Sequence, residues 1–348
     1  MLKRILLILA SLLLLSGNII SQTVIGKYAG EFMAIGVGGK ALGMGGAQVA
    51  VANDVTAGYW NPAGLAFIDY PQGALMHEEH FGNLVNYNYG AVAIPYGKDM
   101  SFGISVIRLA IDDIPGTKNF LINGITGETI YDIEDPNART DPSRITYFNN
   151  VDYAFYLTFA KRASDNFYWG ANVKIISRSL EKESAFGVGF DAGAVYMPMD
   201  NLYLGANIMD VTTTLVAWST GRNELVTPTA KVGAAYGLEM LGGVLTPAVD
   251  FDIRFENRQF ASNFNLGPVS FDFRGGLEFT FKNIISIRGG YTDVQQYTVG
   301  AGIKLPKLNI DYSFAQFTGS EYETLHEESH RISLKLTLEE PRFLRLGE

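Results

Sequence analysis

The chain contains no cysteine. A disulfide scaffold, a thiol nucleophile and a cysteine-ligated metal site are therefore excluded. Charge is also scarce: 18% of residues are Asp, Glu, Lys or Arg, below the roughly 25% of soluble domains. The balance is negative, at −9, which speaks against generic nucleic-acid binding. Beyond the N-terminus no stretch reaches the ~18 continuous apolar residues of a membrane helix. What is abundant is apolar, aromatic and glycine material. The 348 residues are 47% hydrophobic and include 22 Phe, 18 Tyr and 38 Gly. That much apolar surface has to be buried in a core or in lipid, which excludes a disordered chain.

Residues 1–21 have the layout of a secretory signal peptide. Lys3 and Arg4 form a basic start, Ile5 to Leu15 an apolar run broken only by Ser11, and Ser16-Gly17-Asn18 a polar exit. The run is too short to span a bilayer. Cleavage is expected before Gln22, and with no cysteine there the product is not a lipoprotein.

From residue 70 onward the chain alternates with period two. Tyr153, Phe155, Leu157 and Phe159 share one face, with Asp152, Ala154, Tyr156 and Thr158 opposite. Val249, Phe251 and Ile253 oppose Asp250, Asp252 and Arg254, and Ile332, Leu334 and Leu336 oppose Ser333 and Lys335. One such segment is a weak signal, but about 14 of them at some ten residues each form the dyad repeat of a transmembrane antiparallel β-barrel. Connections alternate between tight turns (Tyr96-Gly97-Lys98-Asp99, Lys282-Asn283, Pro306-Lys307) and mostly longer links near 112–149, 212–227, 257–268 and 318–327. Short turns on one rim and long loops on the other are the periplasmic and extracellular sides of such a barrel. The expected organisation is a signal peptide over 1–21, an N-terminal plug over 22–69, the barrel over 70–338 and a periplasmic tail over 339–348. The alternative is a soluble β-sandwich, with Phe155, Phe251 and Leu334 hidden between two sheets.

If the apolar face meets lipid, the other face lines the lumen. It then carries Asp152, Asp191, Asp250, Asp252, Asp272, Glu278 and Asp311, together with Lys174, Lys231, Arg254, Arg274, Arg288, Lys304 and Lys335. Seven acids against seven bases is not the one-signed ring of a strongly ion-selective pore. A paired network that holds the barrel's shape is expected.

Residues 26–69 break the alternation. Gly36 to Ala47 is glycine-dense, yet Gly39-Lys40 is followed by Ala41 rather than Ser or Thr, so no phosphate-binding loop is present. Asn53 or Asp54 is placed to cap a short helix through Trp60, and Pro62 holds Asn61 extended. The run from Gly36 to Ala66 resembles the N-terminal signature of the PorV/PorQ family, which belongs with the FadL-like outer-membrane barrels. The resemblance is carried by Gly43, Gly45, Gly46, Asn53, Asp54, Trp60, Asn61, Pro62 and Gly64, with Asn53 standing where the family usually has Asp. It implies a 14-stranded barrel with an N-terminal plug, seated in the bacterial outer membrane. In the PorV branch it implies handling of secreted cargo proteins that bear C-terminal signal domains, together with other components of type IX secretion and surface attachment. In the FadL branch it implies passage of hydrophobic small molecules, with a lateral opening in the wall.

No motif marks an enzyme: G-x-S-x-G and S-x-x-K are absent, and no cofactor is expected. The four histidines, His77, His80, His326 and His330, fall on the first strand and beside the last, which neighbour each other in a closed barrel. A surface metal site there is weakened because His77 and His80 point to opposite faces of a strand. The function expected from these readings is a non-enzymatic outer-membrane barrel that handles secreted proteins, with a channel for hydrophobic small molecules as the alternative.

Overall fold

The computed structural model describes residues 23–24, 30–80, 84–255, 262–317 and 328–346. The signal segment expected over residues 1–21 lies outside these, as does His326. Fourteen strands form the wall: β1 (Gln72–His80), β2 (Val85–Tyr96), β3 (Met100–Gly116), β4 (Thr146–Arg162), β5 (Phe167–Leu180), β6 (Glu183–Met199), β7 (Leu202–Met209), β8 (Thr229–Tyr236), β9 (Gly243–Arg254), β10 (Val269–Phe281), β11 (Ile285–Tyr291), β12 (Gln296–Lys304), β13 (Leu308–Phe317) and β14 (Glu328–Thr337). Each pairs antiparallel with the next. The ring closes where β14 pairs with β1, from Gln72↔Thr337 to Glu79↔His330. A closed ring leaves no unpaired sheet edge, which is the condition for a sheet to sit in lipid.

The turns on one rim are tight for identifiable reasons. Leu241-Gly242 (φ 51 and 73) and Lys282-Asn283 (φ 47 and 56) both hold two successive left-handed residues, the geometry that matches the twist of a two-residue hairpin. The opposite rim carries the long connections. The expected 112–149 loop is shortened from both ends, because β3 runs to Gly116 and β4 begins at Thr146. The rest is braced by a small hairpin pairing Leu121–Asn123 with Ala138–Thr140. The expected 212–227 loop is largely strand. Thr214–Trp218 continues along β6 and pairs with Asn223–Val226. Asp210 (φ 55) and Thr213 (φ 59) put a break between this extension and β7. Thr23–Val24 pairs in parallel with Asn223–Val226.

Burial separates the two faces as the alternation requires. Phe155, Phe251 and Leu334 are 39%, 44% and 42% exposed on the outside of the ring, so no second sheet covers them. Inward positions such as Tyr87, Tyr156 and Lys174 are fully buried. A barrel of this girth is too wide for wall side chains alone to fill, unlike an eight-stranded one. Residues 30–69 occupy the interior. They contain α1 (Gly39–Gly43), α2 (Ala57–Trp60) and two 3₁₀ turns, Glu31–Met33 and Pro62–Phe67. Asn61 is extended (φ −158, ψ 109), as the following proline demands. The cap of α2 differs from expectation. Thr56 holds the cap position without a side-chain bond, and Asp54 instead accepts from the Thr56 N–H (2.9 Å) and hydroxyl (2.6 Å) one turn earlier. Its carboxylate is turned toward the wall rather than along the helix.

The lipid-facing assignment makes a quantitative prediction. Leu334→Arg places a guanidinium among outward Ile332 and Leu336 and should cost about 2–4 kcal/mol if it lies near the bilayer midplane. Equilibrium unfolding in lipid vesicles measures this, and a cost near zero would mean that this face does not meet acyl chains.

Candidate functional site: the plugged lumen

The lumen has two chemically distinct halves, and the plug matches each. On β2 to β5 the inward residues are largely apolar or aromatic, among them Tyr87, Tyr89, Ile107, Tyr156 and Ile176. They pack with Val37, Trp60, Leu65 and Ile68 of the plug in one buried cluster. On β8 to β14 charged inward residues stand among small ones such as Ala235, Ala248 and Ser313. There Lys231 reaches Asp252 at 2.6 Å, Arg288 reaches Asp311 at 2.7 Å and Glu278 at 2.5 Å, and Arg254 lies 3.9 Å from both Asp252 and Asp272. Two charged clusters lie outside β8 to β14: buried Lys174 bridges Asp191 (2.8 Å) and Asp210 (2.7 Å), and Asp152 pairs with Arg178 (3.0 Å). Such pairs offset a desolvation cost that neither partner could bear alone.

Of the residues expected from their phase to line the lumen, Asp152, Lys174, Asp191, Asp250, Asp252, Asp272, Arg274, Arg288 and Asp311 are buried, and Lys304 stands exposed at the end of β12. Several partners escaped the reading of the sequence. Arg331 and Glu78, 2.6 Å apart across the closure seam, share the phase of Lys335 and of Met76, so their signal was present. Asp210 and Asp293 lie just beyond strand ends, where alternation says nothing. Asp293 binds Arg274 at 2.9 Å. Burial by itself would raise the Asp293 carboxyl, but Arg274 outweighs it and holds the group well below its ordinary range.

Polar contacts pin the plug on every side. Asp250 accepts from the N–H groups of Gln48 (2.6 Å) and Val49 (2.9 Å). Thr298 accepts from Gly45 N–H (3.0 Å) and donates to the Gly43 carbonyl (3.1 Å). The Trp60 indole donates to the Val37 carbonyl (3.0 Å) while the Trp60 carbonyl accepts from Asn207 (3.0 Å). Asn61 donates to Val49 (2.7 Å) and Ala194 (3.2 Å) carbonyls. Gly46 takes φ +75 against the Trp60 ring, and a side chain at Gly64 would strike the Ala52 carbonyl. Asn53 is exposed to a small cavity beside Asp54, which pairs with Lys335 at 2.6 Å. Burial raises the Asp54 carboxyl, but Lys335 and then Lys40 outweigh it and hold it far below its ordinary value. Lys40 is itself raised, first by Glu278. The C-terminal tail closes the floor. Arg345 donates to the carbonyls of Ile68 and Met100 (both 2.7 Å) and to the Ser101 hydroxyl (2.6 Å).

Two adjoining cavities lie above the plug. One, of about 240 Å³, is lined by Ile35, Leu42, Trp60, Val294 and Phe317 on its apolar side and by Arg254, Arg274 and Arg331 on its basic side. The other, of about 90 Å³, reaches the wall at Met209, Asp210, Val226 and Thr227, where the strands are broken. Below the plug an open vestibule of about 680 Å³ includes Thr246, Glu278 and Thr280. The three described histidines do not converge. His77 faces outward to Asn88 (2.8 Å), His80 inward to Glu78 (2.9 Å), and His330 outward to the Tyr312 hydroxyl (2.7 Å). Among the described residues no group of three or more His, Asp or Glu could hold a metal ion.

No family model matches the chain, and no curated protein is similar to it. Solved structures are similar in fold. The toluene transporter TbuX of Ralstonia pickettii superposes with a TM-score of 0.54 at 11% identity, covering 87% of this chain and 97% of that one. The monoaromatic hydrocarbon channel CymD gives 0.53 at 12%, covering 88% and 98%. A Pseudomonas aeruginosa FadL homologue gives 0.50 at 14%, covering 85% and 97%. The fold is therefore that of the FadL-type transmembrane barrels, and these neighbours are transport proteins rather than enzymes.

The Asp54–Lys335 pair makes a two-part prediction. Asp54→Ala leaves a largely buried ammonium unpaired and should loosen the plug by on the order of 3 kcal/mol, seen as earlier proteolysis of residues 30–69 in a urea series. Because the folded carboxyl sits below its ordinary 3.8, its contribution is complete above that pH and drains away as the pH falls further. Tryptophan fluorescence should hold its native form down to pH 3.8 and shift only below it; a shift near neutrality would contradict the assignment.

Proposed function

We propose that the chain is an outer-membrane channel of the FadL type that passes hydrophobic small molecules. The observation that carries this reading is the cavity above the plug. Leu42, Ile35, Trp60 and Phe317 present apolar surface beside Arg254, Arg274, Asp293 and Arg331. A concave apolar patch flanked by a few fixed polar groups is what a small apolar ligand requires. The barrels of similar fold include a toluene transporter and a monoaromatic hydrocarbon channel, which favours small aromatic compounds over protein cargo. Toluene uptake by cells carrying the chain should exceed that of cells lacking it. Leu42→Arg, which fills the apolar side of the cavity with a charged side chain, should return uptake to the background. Equal uptake with and without the chain would overturn the reading.

One observation favours the secretion role of the PorV branch. The hairpin loop between β3 and β4 holds Ile125, Tyr131 and Ile133 each 79% exposed, the kind of apolar display that marks a protein contact. If that loop receives secreted proteins with C-terminal signal domains, deleting residues 124–136 should strip such proteins from the cell surface and leave toluene uptake unchanged. Unaltered surface attachment would remove this second reading.

A further inference from the structure

Inward glycines on β5, β6, β7, β10 and β11 lie so close to the plug that a side chain there would collide with it, and one on β12 leaves only a tight fit. A Cβ built on Gly276 of β10 would collide with the Met44 carbonyl, and one on Gly290 of β11 with the Gly45 N–H. On β12, a Cβ on Gly300 would lie 3.1 Å from the Gly43 Cα, a tight fit. On the far side a Cβ on Gly170 would lie 2.5 Å from the Pro62 carbonyl carbon, one on Gly193 would strike the Asn61 side chain and one on Gly205 the Val49 carbonyl. Register aligns them: Gly170 pairs with Gly193, and Gly276 with Gly290. The plug answers with its own glycine, since a Cβ on Gly45 would lie 2.6 Å from both the N and O of Tyr291.

Three successive inward positions on β10 show what this level divides. Arg274 lines the cavities above the plug, Gly276 touches it, and Glu278 lines the vestibule below. Gly45 and Gly46 likewise form the floor of the upper cavity. Between the cavity above and the vestibule below, along β10 and β11, the wall backbone at Gly276 and Gly290 meets Met44 and Gly45 of the plug with no wall side chain between them. Close packing of this kind leaves no gap of molecular size.

We propose that this belt of wall glycines is the permeability barrier of the barrel, with the seal at Gly276 and Gly290 against Met44 and Gly45. The plug is held shut by shape, and the ion pairs around it position it on the belt. The barrier is a property of the fold and stands whichever molecules the channel carries.

The absence of cysteine provides the test in the full chain. Single cysteines at Val294 (V294C, above the belt) and Thr280 (T280C, below it) are offered a membrane-impermeant thiol reagent from outside intact cells. With the native belt, V294C should label and T280C should not. Adding Gly290→Ala, or Gly276→Ala, should make T280C label and raise the conductance of the purified protein in planar bilayers by an order of magnitude or more. Gly289→Ala, one residue away on the outer face where a Cβ meets nothing closer than 3.9 Å, should change neither. If a wall variant fails to insert, Gly45→Ala tests the same contact from the plug side. Labelling of T280C with the native belt, or inserted belt variants that stay sealed, would overturn the proposal.

Discussion

A ring of fourteen strands encloses a fixed volume, and the chain must fill it. Hydrogen bonding closes the wall, so the lumen cannot shrink to suit its contents. Each inward side chain is therefore sized against the plug. Where the plug backbone comes closest, the wall residue is glycine. Where it stands back, the wall places tyrosine on one side and ion pairs on the other. The same constraint explains why Asp250 turns its carboxylate to the N–H groups of Gln48 and Val49: a plug segment pressed to the wall has no water to satisfy its backbone.

The division of the lumen into apolar and charged halves has an energetic logic. Val37, Trp60 and Leu65 bury apolar surface against β2 to β5, a non-directional gain that tolerates small shifts. The ion pairs of β8 to β14 are directional and are lost when geometry changes. Lys40–Glu278 and Asp54–Lys335 tie the plug to the wall in this way, and the other pairs of this half join wall residues to one another. Arg345 adds a strap from the far end of the chain, crossing under the β14–β1 seam to grip Ile68 and Met100.

Particular residues show how far the linear order could be read. Phase alone placed Asp252, Arg274 and Lys335 inside the ring, because a strand's side chains alternate whatever its neighbours. The same rule reached Arg331 and Glu78, which the sequence reading passed over. It could not reach Asp210 or Asp293, which lie in non-repeating backbone. Nor could it tell that Thr214–Trp218 and Asn223–Val226 are wall rather than loop, because short polar-flanked strands lack enough repeats to register. Asp54 looked like a helix cap, as its residue type and position allow, but the wall offered Lys335 and the cap passed to Thr56.

Composition and a period of two are enough to specify a cysteine-free chain of alternating strands with a glycine-rich segment ahead of them. Which glycine meets which, which charges pair and where the cavities lie are settled by the folded ring. Those facts depend on register and on the seating of the plug, which bring Gly45 to Gly290 and Asp54 to Lys335 across hundreds of residues, and no local pattern encodes a contact at that separation.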